Sequence, residues 1–214
     1  MRQPGIIRAV LLDHDDTLVD TFRACLELNK HVGRTWYGKE LTDEDIQRHW
    51  TVPFTESVRG LFGTEDAELA RQRIFDCYPL YPKELIGRTI TKKLKAAGIL
   101  LGIVSSSSKQ LVAYDLARAD VQDDIGYLQT EEDTPHHKPD PRVFEPAVTW
   151  LEQSGVTPEQ ALYVGDTLND GRAATRAGFG FMGVTTGAFT AEQFAAEGFT
   201  SLATVEYIAE LLGL

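Results

Sequence analysis

Apolar residues fall along the chain in short runs, separated by polar and glycine-containing stretches. Three runs, Ile6–Leu12, Ile99–Val104 and Ala161–Val164, are aliphatic and β-branched and too short for buried helices, so they predict buried strands. Ile125–Gln129, Phe179–Val184 and Phe199–Leu202 are weaker strand candidates. The intervening segments carry helix punctuation. Thr42-Asp43-Glu44-Asp45 and Thr190-Ala191-Glu192-Gln193 have the form of capping boxes. Asp140-Pro141 reads as an N-cap and first helical residue, with Gly155 past the helix end. Gly98 and Gly178 suit the left-handed position that closes a helix. From Lys83 onward strands alternate with helices, as in a mostly parallel sheet covered on both faces. Residues 21–82 break this alternation with helical segments and no convincing strand. The expected fold is α/β. Residues 1–20 and 83–214 form a Rossmann-like open parallel sheet flanked by helices, and 21–82 form an inserted all-helical domain.

In open α/β sheets, ligands sit beyond the carboxyl ends of the strands. Asp13 and Asp15 follow the first strand, Ser105 to Ser108 the second, and Asp166 to Asp170 a later one. Asp13, Asp15, Asp166 and Asp170 would thus meet at one edge, where all cannot stay ionised without a compensating cation. Carboxylate ligands without Cys or His at matching spacing favour Mg²⁺ over Zn²⁺. Mg²⁺ commonly shares its shell with substrate phosphate, and the serine run opens a helix whose first N–H groups suit an anion. Lys138, in HHKPDPRVF, adds a positive charge. An aspartate can attack phosphorus covalently, and a second carboxylate can protonate the leaving oxygen and then activate water.

Four segments together resemble the haloacid dehalogenase-like hydrolase superfamily, in its phosphatase branch. LLDHDDTLVDT is similar to its first motif, GIVSSSS to its second, KPDPRVF to its third and YVGDTLNDGRAATRAG to its fourth. The resemblance runs from about Ile6 to the C-terminus and is weak over 21–82. It implies Asp13 as nucleophile and metal ligand, and Asp15 as acid/base and ligand through its backbone carbonyl. Ser105 and Lys138 would hold the phosphoryl group. Asp166 would bind the metal, with Asp170 supporting the metal or Lys138. Thr17 and the amide of Ser106 would assist, and 21–82 would be the small helical cap of such enzymes. Trp50, Thr51 and Phe54, around Pro53, would reach the substrate, while Arg23, His31 and Arg34 are candidates for an anionic leaving group. Phosphoglycolate and sugar-phosphate phosphatases are the relatives implied. Three positions depart from the pattern. His14 stands where an apolar or aromatic residue is usual, Asp16 where many members have Gly, and Ser106 where Asn is common.

Composition narrows the alternatives. A net charge of −11 argues against non-specific nucleic-acid binding, which needs a basic footprint. No apolar run reaches membrane-spanning length. The two cysteines, Cys25 and Cys77, read as free thiols of a cytoplasmic protein rather than a disulfide framework. His136 and His137 are adjacent, point apart, and read as loop residues. The expected activity is Mg²⁺-dependent hydrolysis of a small phosphorylated metabolite by a monomer or homodimer, through an aspartyl-phosphate on Asp13. A 2-haloacid dehalogenase or a phosphosugar mutase are alternatives within the superfamily. A phospho-accepting signalling domain is the alternative from another class, though such domains are shorter and lack a helical insert.

Overall fold

The computed structural model describes residues 6–50, 52 and 54–214. The chain divides into two compact units: the residues up to Asp20 together with Leu85–Leu214, and Thr21–Glu84. The first unit is built on six strands. They are β1 (Ala9–Leu12), β2 (Leu100–Val104), β3 (Tyr127–Gln129), β4 (Ala161–Gly165), β5 (Gly180–Val184) and β6 (Ser201–Leu202). All pair in parallel, in the order β3-β2-β1-β4-β5-β6. Each expected strand forms, though several are shorter than their apolar runs. The first run begins at Ile6, yet Ile6 is 84% exposed and the ladder starts at Ala9, where Leu100 and Ala161 come into register.

Among its described residues the second unit has four α-helices, α1 (Phe22–Val32), α2 (Asp43–Arg48), α3 (Phe54–Phe62) and α4 (Ala67–Cys77), with a π-helical stretch at Gly33–Tyr37 and a 3₁₀ turn at Tyr78–Leu80. Six α-helices accompany the sheet: α5 (Arg88–Ala96), α6 (Lys109–Ala119), α7 (Glu145–Gln153), α8 (Leu168–Arg176), α9 (Ala191–Ala196) and α10 (Ile208–Leu211). Strand β1 shows how both faces are covered. Val10 and Leu12 point into a core with Ile90 and Leu94 of α5 and Val112 and Leu116 of α6. Ala9 and Leu11 point the other way, against Ala147 and Leu151 of α7 and Ala173 and Ala174 of α8. This strict alternation is the period of two of a strand buried on both sides.

The predicted caps form at Thr42 and Thr190, whose hydroxyls accept from the amides of Asp45 and Gln193. Asp140 caps the chain as expected, its carboxylate accepting from Arg142 N–H at 3.0 Å, but the turn it opens, Pro141–Phe144, is 3₁₀ and only then runs into α7.

Leu28, Val32, Ile46, Val58, Leu61 and Phe62 are buried within Thr21–Glu84, and no strand occurs among its described residues. Trp50 meets Phe22 edge-on at 5.0 Å, and the Arg71 guanidinium lies 4.2 Å from the centre of the Phe54 ring. Thr51 lies outside the described residues. Cys25 and Cys77 are free thiols. No helix among the described residues is long and apolar enough to cross a membrane.

Candidate active site

The sheet register decides which residues emerge together. Leu12 pairs with Ile103 on one side and with Val164 on the other. Asp13, Ser105 and Asp166 therefore follow the ends of three adjacent strands at one edge. Asp13 extends the ladder by one bond, its N–H donating to Val164 C=O at 2.8 Å. The chain then turns back tightly. The His14 carbonyl accepts from Leu18 and Val19, and Asp16 takes a left-handed φ of 52°. The Asp16 carbonyl also accepts from the Thr186 hydroxyl. A residue type that tolerates αL is needed there, and Asp is one of the few besides Gly.

At this edge Asp13, Asp166 and Asp170 each offer a carboxylate oxygen within 4.8 Å of the others, and all three are buried. The Lys138 ammonium stands among them. It donates to Tyr163 Oη at 2.6 Å and pairs with Asp170 Oδ1 at 2.7 Å and Asp13 Oδ1 at 3.0 Å. Its three protons thus have three acceptors. Tyr163 Oη is itself anchored, donating to Val104 C=O at 2.9 Å. The other Asp170 oxygen accepts from the Thr167 amide and hydroxyl, at 2.9 and 2.5 Å, in the capping box that starts α8. Asp170 is therefore locked towards Lys138. Two glycines make room. A Cβ on Gly165 would sit 2.6 Å from Asp170 Cγ, and one on Gly187 only 1.9 Å from Asp166 Oδ2.

Burial is the main electrostatic force here. It pushes the Asp13 carboxyl up to about 7 against the pull of Lys138, and Asp170 and Asp15 add repulsion. Burial also lifts Asp166 well above its ordinary value, with Asp170, Asp13 and Asp16 adding repulsion. For Lys138 burial opposes the charge, but Asp13 and Asp170 more than reverse this, and the ammonium is held above its ordinary value. Two buried carboxyls that resist ionisation, Asp13 and Asp166, in a cluster that offers only oxygen ligands, suit a hard divalent cation. Asp13 and Asp166 fit that role best. Asp170 belongs to the cluster, but both of its oxygens already have partners.

Asp15 lies beside this cluster, and its carboxylate has hydrogen-bonding partners of its own. Its Oδ1 is 3.2 Å from His14 Nδ1, and its Oδ2 accepts from Ser107 Oγ at 2.5 Å. His14 is fully buried, and its Nε2 lies 3.4 Å from Asp115 Oδ2, an ion-pair distance. Burial lowers the His14 imidazole, but Asp15, Asp115 and Asp13 outweigh it and the net shift is upward. Ser105 is buried, and its Oγ accepts from Ser107 N–H at 3.0 Å. Ser106 is exposed at the turn. Thr17 is fully buried, and its hydroxyl has no hydrogen-bond partner among the described residues.

Residues 10–184 match the family model described as haloacid dehalogenase-like hydrolase. The chain belongs to that family. A phosphoglycolate phosphatase of Salmonella paratyphi A is 33% identical over 154 residues, covering 72% of this chain and 56% of that relative. The chain thus spans little more than half the length of that relative. The pyrophosphatase PpaX of Bacillus velezensis is 28% identical over 187 residues, covering 83% of each chain. Among solved structures, a subfamily IA hydrolase from Geobacter sulfurreducens superposes with a TM-score of 0.70 at 25% identity, covering 99% of each chain.

In this haloacid dehalogenase-like hydrolase, the structure brings Asp13, Lys138, Asp166 and Asp170 together as a group. It sets Asp15 beside them through its own hydrogen bonds. Trp50 and Phe54 sit in the Thr21–Glu84 unit. Tyr163, Gly187 and Asp115 escaped the sequence reading, and Ser107 was read only as part of the serine run after β2. Tyr163 alternates with Leu162 and Val164 along β4, so periodicity marks it as core and hides its hydroxyl. Asp115 left one signal, an acid among the apolar positions Val112 and Leu116 of α6.

Proposed function

We propose that the protein is a Mg²⁺-dependent phosphomonoester hydrolase of a small phosphorylated metabolite, working through an aspartyl-phosphate on Asp13. The observation that supports this most is the Lys138 ammonium, held against Asp13 and Asp170 beside a second buried carboxylate, Asp166. Asp13 and Asp166, with the backbone carbonyl of Asp15, would hold the Mg²⁺. When bound, the ion supplies positive charge that screens an incoming phosphoryl dianion from the carboxylates. The Asp13 carboxylate attacks phosphorus, the ester P–O bond breaks, and the leaving oxygen takes a proton from Asp15. Asp15 then takes a proton from water as that water attacks phosphorus. The bond to Asp13 breaks, and the products are an alcohol and inorganic phosphate. Lys138 and Ser105 stabilise the transferring group. Thr17 and the Ser106 amide assist, and Asp170 positions Lys138. The Thr21–Glu84 unit, with Trp50, Thr51 and Phe54, takes the role of a substrate-selecting cap.

The two named relatives frame the substrate choice between phosphoglycolate and pyrophosphate. The test is phosphate release from a panel of these two compounds, sugar phosphates and p-nitrophenyl phosphate, with and without Mg²⁺. Release with Mg²⁺, abolished by Asp13→Asn, is the expected result. A pure protein with Mg²⁺ that leaves the whole panel intact overturns the reading. Chloride release from a 2-haloacid without metal would move it to the dehalogenase branch.

A further inference from the structure

The residue between the two motif aspartates is His14, and it packs with no exposed surface. A residue that only filled space there would have no need of two ring nitrogens. Both of them face carboxylates: Nδ1 lies 3.2 Å from Asp15 Oδ1, and Nε2 lies 3.4 Å from Asp115 Oδ2. Asp115 is 5% exposed on α6, between Val112 and Leu116. A buried acid on an apolar helix face is costly unless it has a charged or hydrogen-bonding counterpart. His14 supplies one. On the far side of Asp15, Ser107 grips the other carboxylate oxygen at 2.5 Å, and its own amide is tied to Ser105 Oγ at 3.0 Å. The Asp15 carboxylate is therefore held at both oxygens, by groups that α6 and the loop after β2 keep in place.

We propose that His14, braced by Asp115, is a positioning residue that fixes the Asp15 carboxylate for proton transfer to the leaving oxygen. This rests on the phosphatase reading above. An acid that must meet one oxygen atom gains from a locked rotamer, since an error of ~1 Å in placement can cost ~10²-fold. Here the lock comes from His14 and Ser107, which take no part in the proton transfer itself. The role is specific to proton delivery. It should matter for an alkoxide leaving group, which needs a proton, and little for p-nitrophenolate, which departs without one.

The experiment compares kcat/KM on an alkyl phosphate and on p-nitrophenyl phosphate. The variants are His14→Leu, His14→Asn and Asp115→Asn, each checked for folding by circular dichroism. For His14→Leu the expected loss is ~10–100-fold on the alkyl ester and only ~3-fold on the nitrophenyl ester, within the usual range of general acid catalysis. His14→Asn places an amide near the Nδ1 position and should restore most of the alkyl-ester activity. Asp115→Asn leaves the imidazole in place and should show the same selectivity at smaller amplitude. It decides the matter where His14→Leu fails to fold. Equal losses on both esters, or no loss on either, would overturn the positioning role while leaving the phosphatase reading intact. A wild-type protein inert to both esters would overturn both together.

Discussion

Replacing Asp13 by Asn should stabilise the metal-free protein, and more so as pH rises. The Asp13 carboxyl has an ordinary value of 3.8, which applies in the unfolded chain, and burial pushes it up to about 7 in the folded one. Between those pH values the folded protein keeps a proton that the unfolded chain has released. Stability therefore falls as pH rises from about 4 to about 7 and is level beyond. Asn carries no such proton, so the variant escapes the loss. From pH 5 to pH 8 the wild-type protein crosses about 2 pK units of this window, and at about 1.4 kcal/mol per unit the variant's advantage widens by about 3 kcal/mol. That figure is an upper bound, because side chains relax and water enters around a buried charge. For a chain of this size it corresponds to about 6–12 °C in Tm. The assay is thermal unfolding of both proteins in EDTA at pH 5 and pH 8. Addition of Mg²⁺ at pH 8 should raise the wild-type Tm and close the gap, since binding stabilises the state that holds the ion. An advantage that is equal at the two pH values, or a variant less stable than wild type at pH 8, refutes the account of Asp13 as a charge held against its own burial.

Further outcomes follow from the same geometry. Lys138→Met keeps the length of the side chain but leaves Asp13 and Asp170 without their shared cation. It should cost about 3–5 kcal/mol in urea unfolding at pH 8 without metal, the usual penalty for orphaning a buried charge. Asp15→Asn keeps the shape of the side chain and the backbone carbonyl but cannot pass a proton. Its kcat should fall ~10²–10⁴-fold while Mg²⁺ affinity, read by calorimetry, stays close to wild type. Gly187→Ala would place a methyl group 1.9 Å from Asp166 Oδ2 and force the carboxylate aside. Mg²⁺ affinity should drop ~10–100-fold, as it does when the surroundings of a ligand are disturbed.

The sheet and the strand-end acids were legible because they follow from local rules. A strand buried on both faces must be a short apolar run, so β1, β2 and β4 declare themselves at Ala9–Leu12, Leu100–Val104 and Ala161–Gly165. Strand length was less legible. Ile6 is as apolar as its neighbours, but no partner strand reaches it, and only pairing makes a ladder. Asp140 was legible only in part. The Asp-Pro signal marks a helical start, and Asp140 does cap one, but the same signal opens a 3₁₀ turn or an α-helix, and here the turn is 3₁₀.

By itself the amino-acid sequence determined the order of elements, the parallel sheet, and the acids and lysine of the candidate site, since each depends on residues close together in the chain. Tertiary structure alone decided who touches whom among residues far apart: Tyr163 under Lys138, Ser107 on Asp15, and Asp115 behind His14. Hydrophobic periodicity reports which face of an element is buried. It is silent about the polar atom at the tip of a buried side chain, whose partner is set by the crossing of strands and helices in three dimensions.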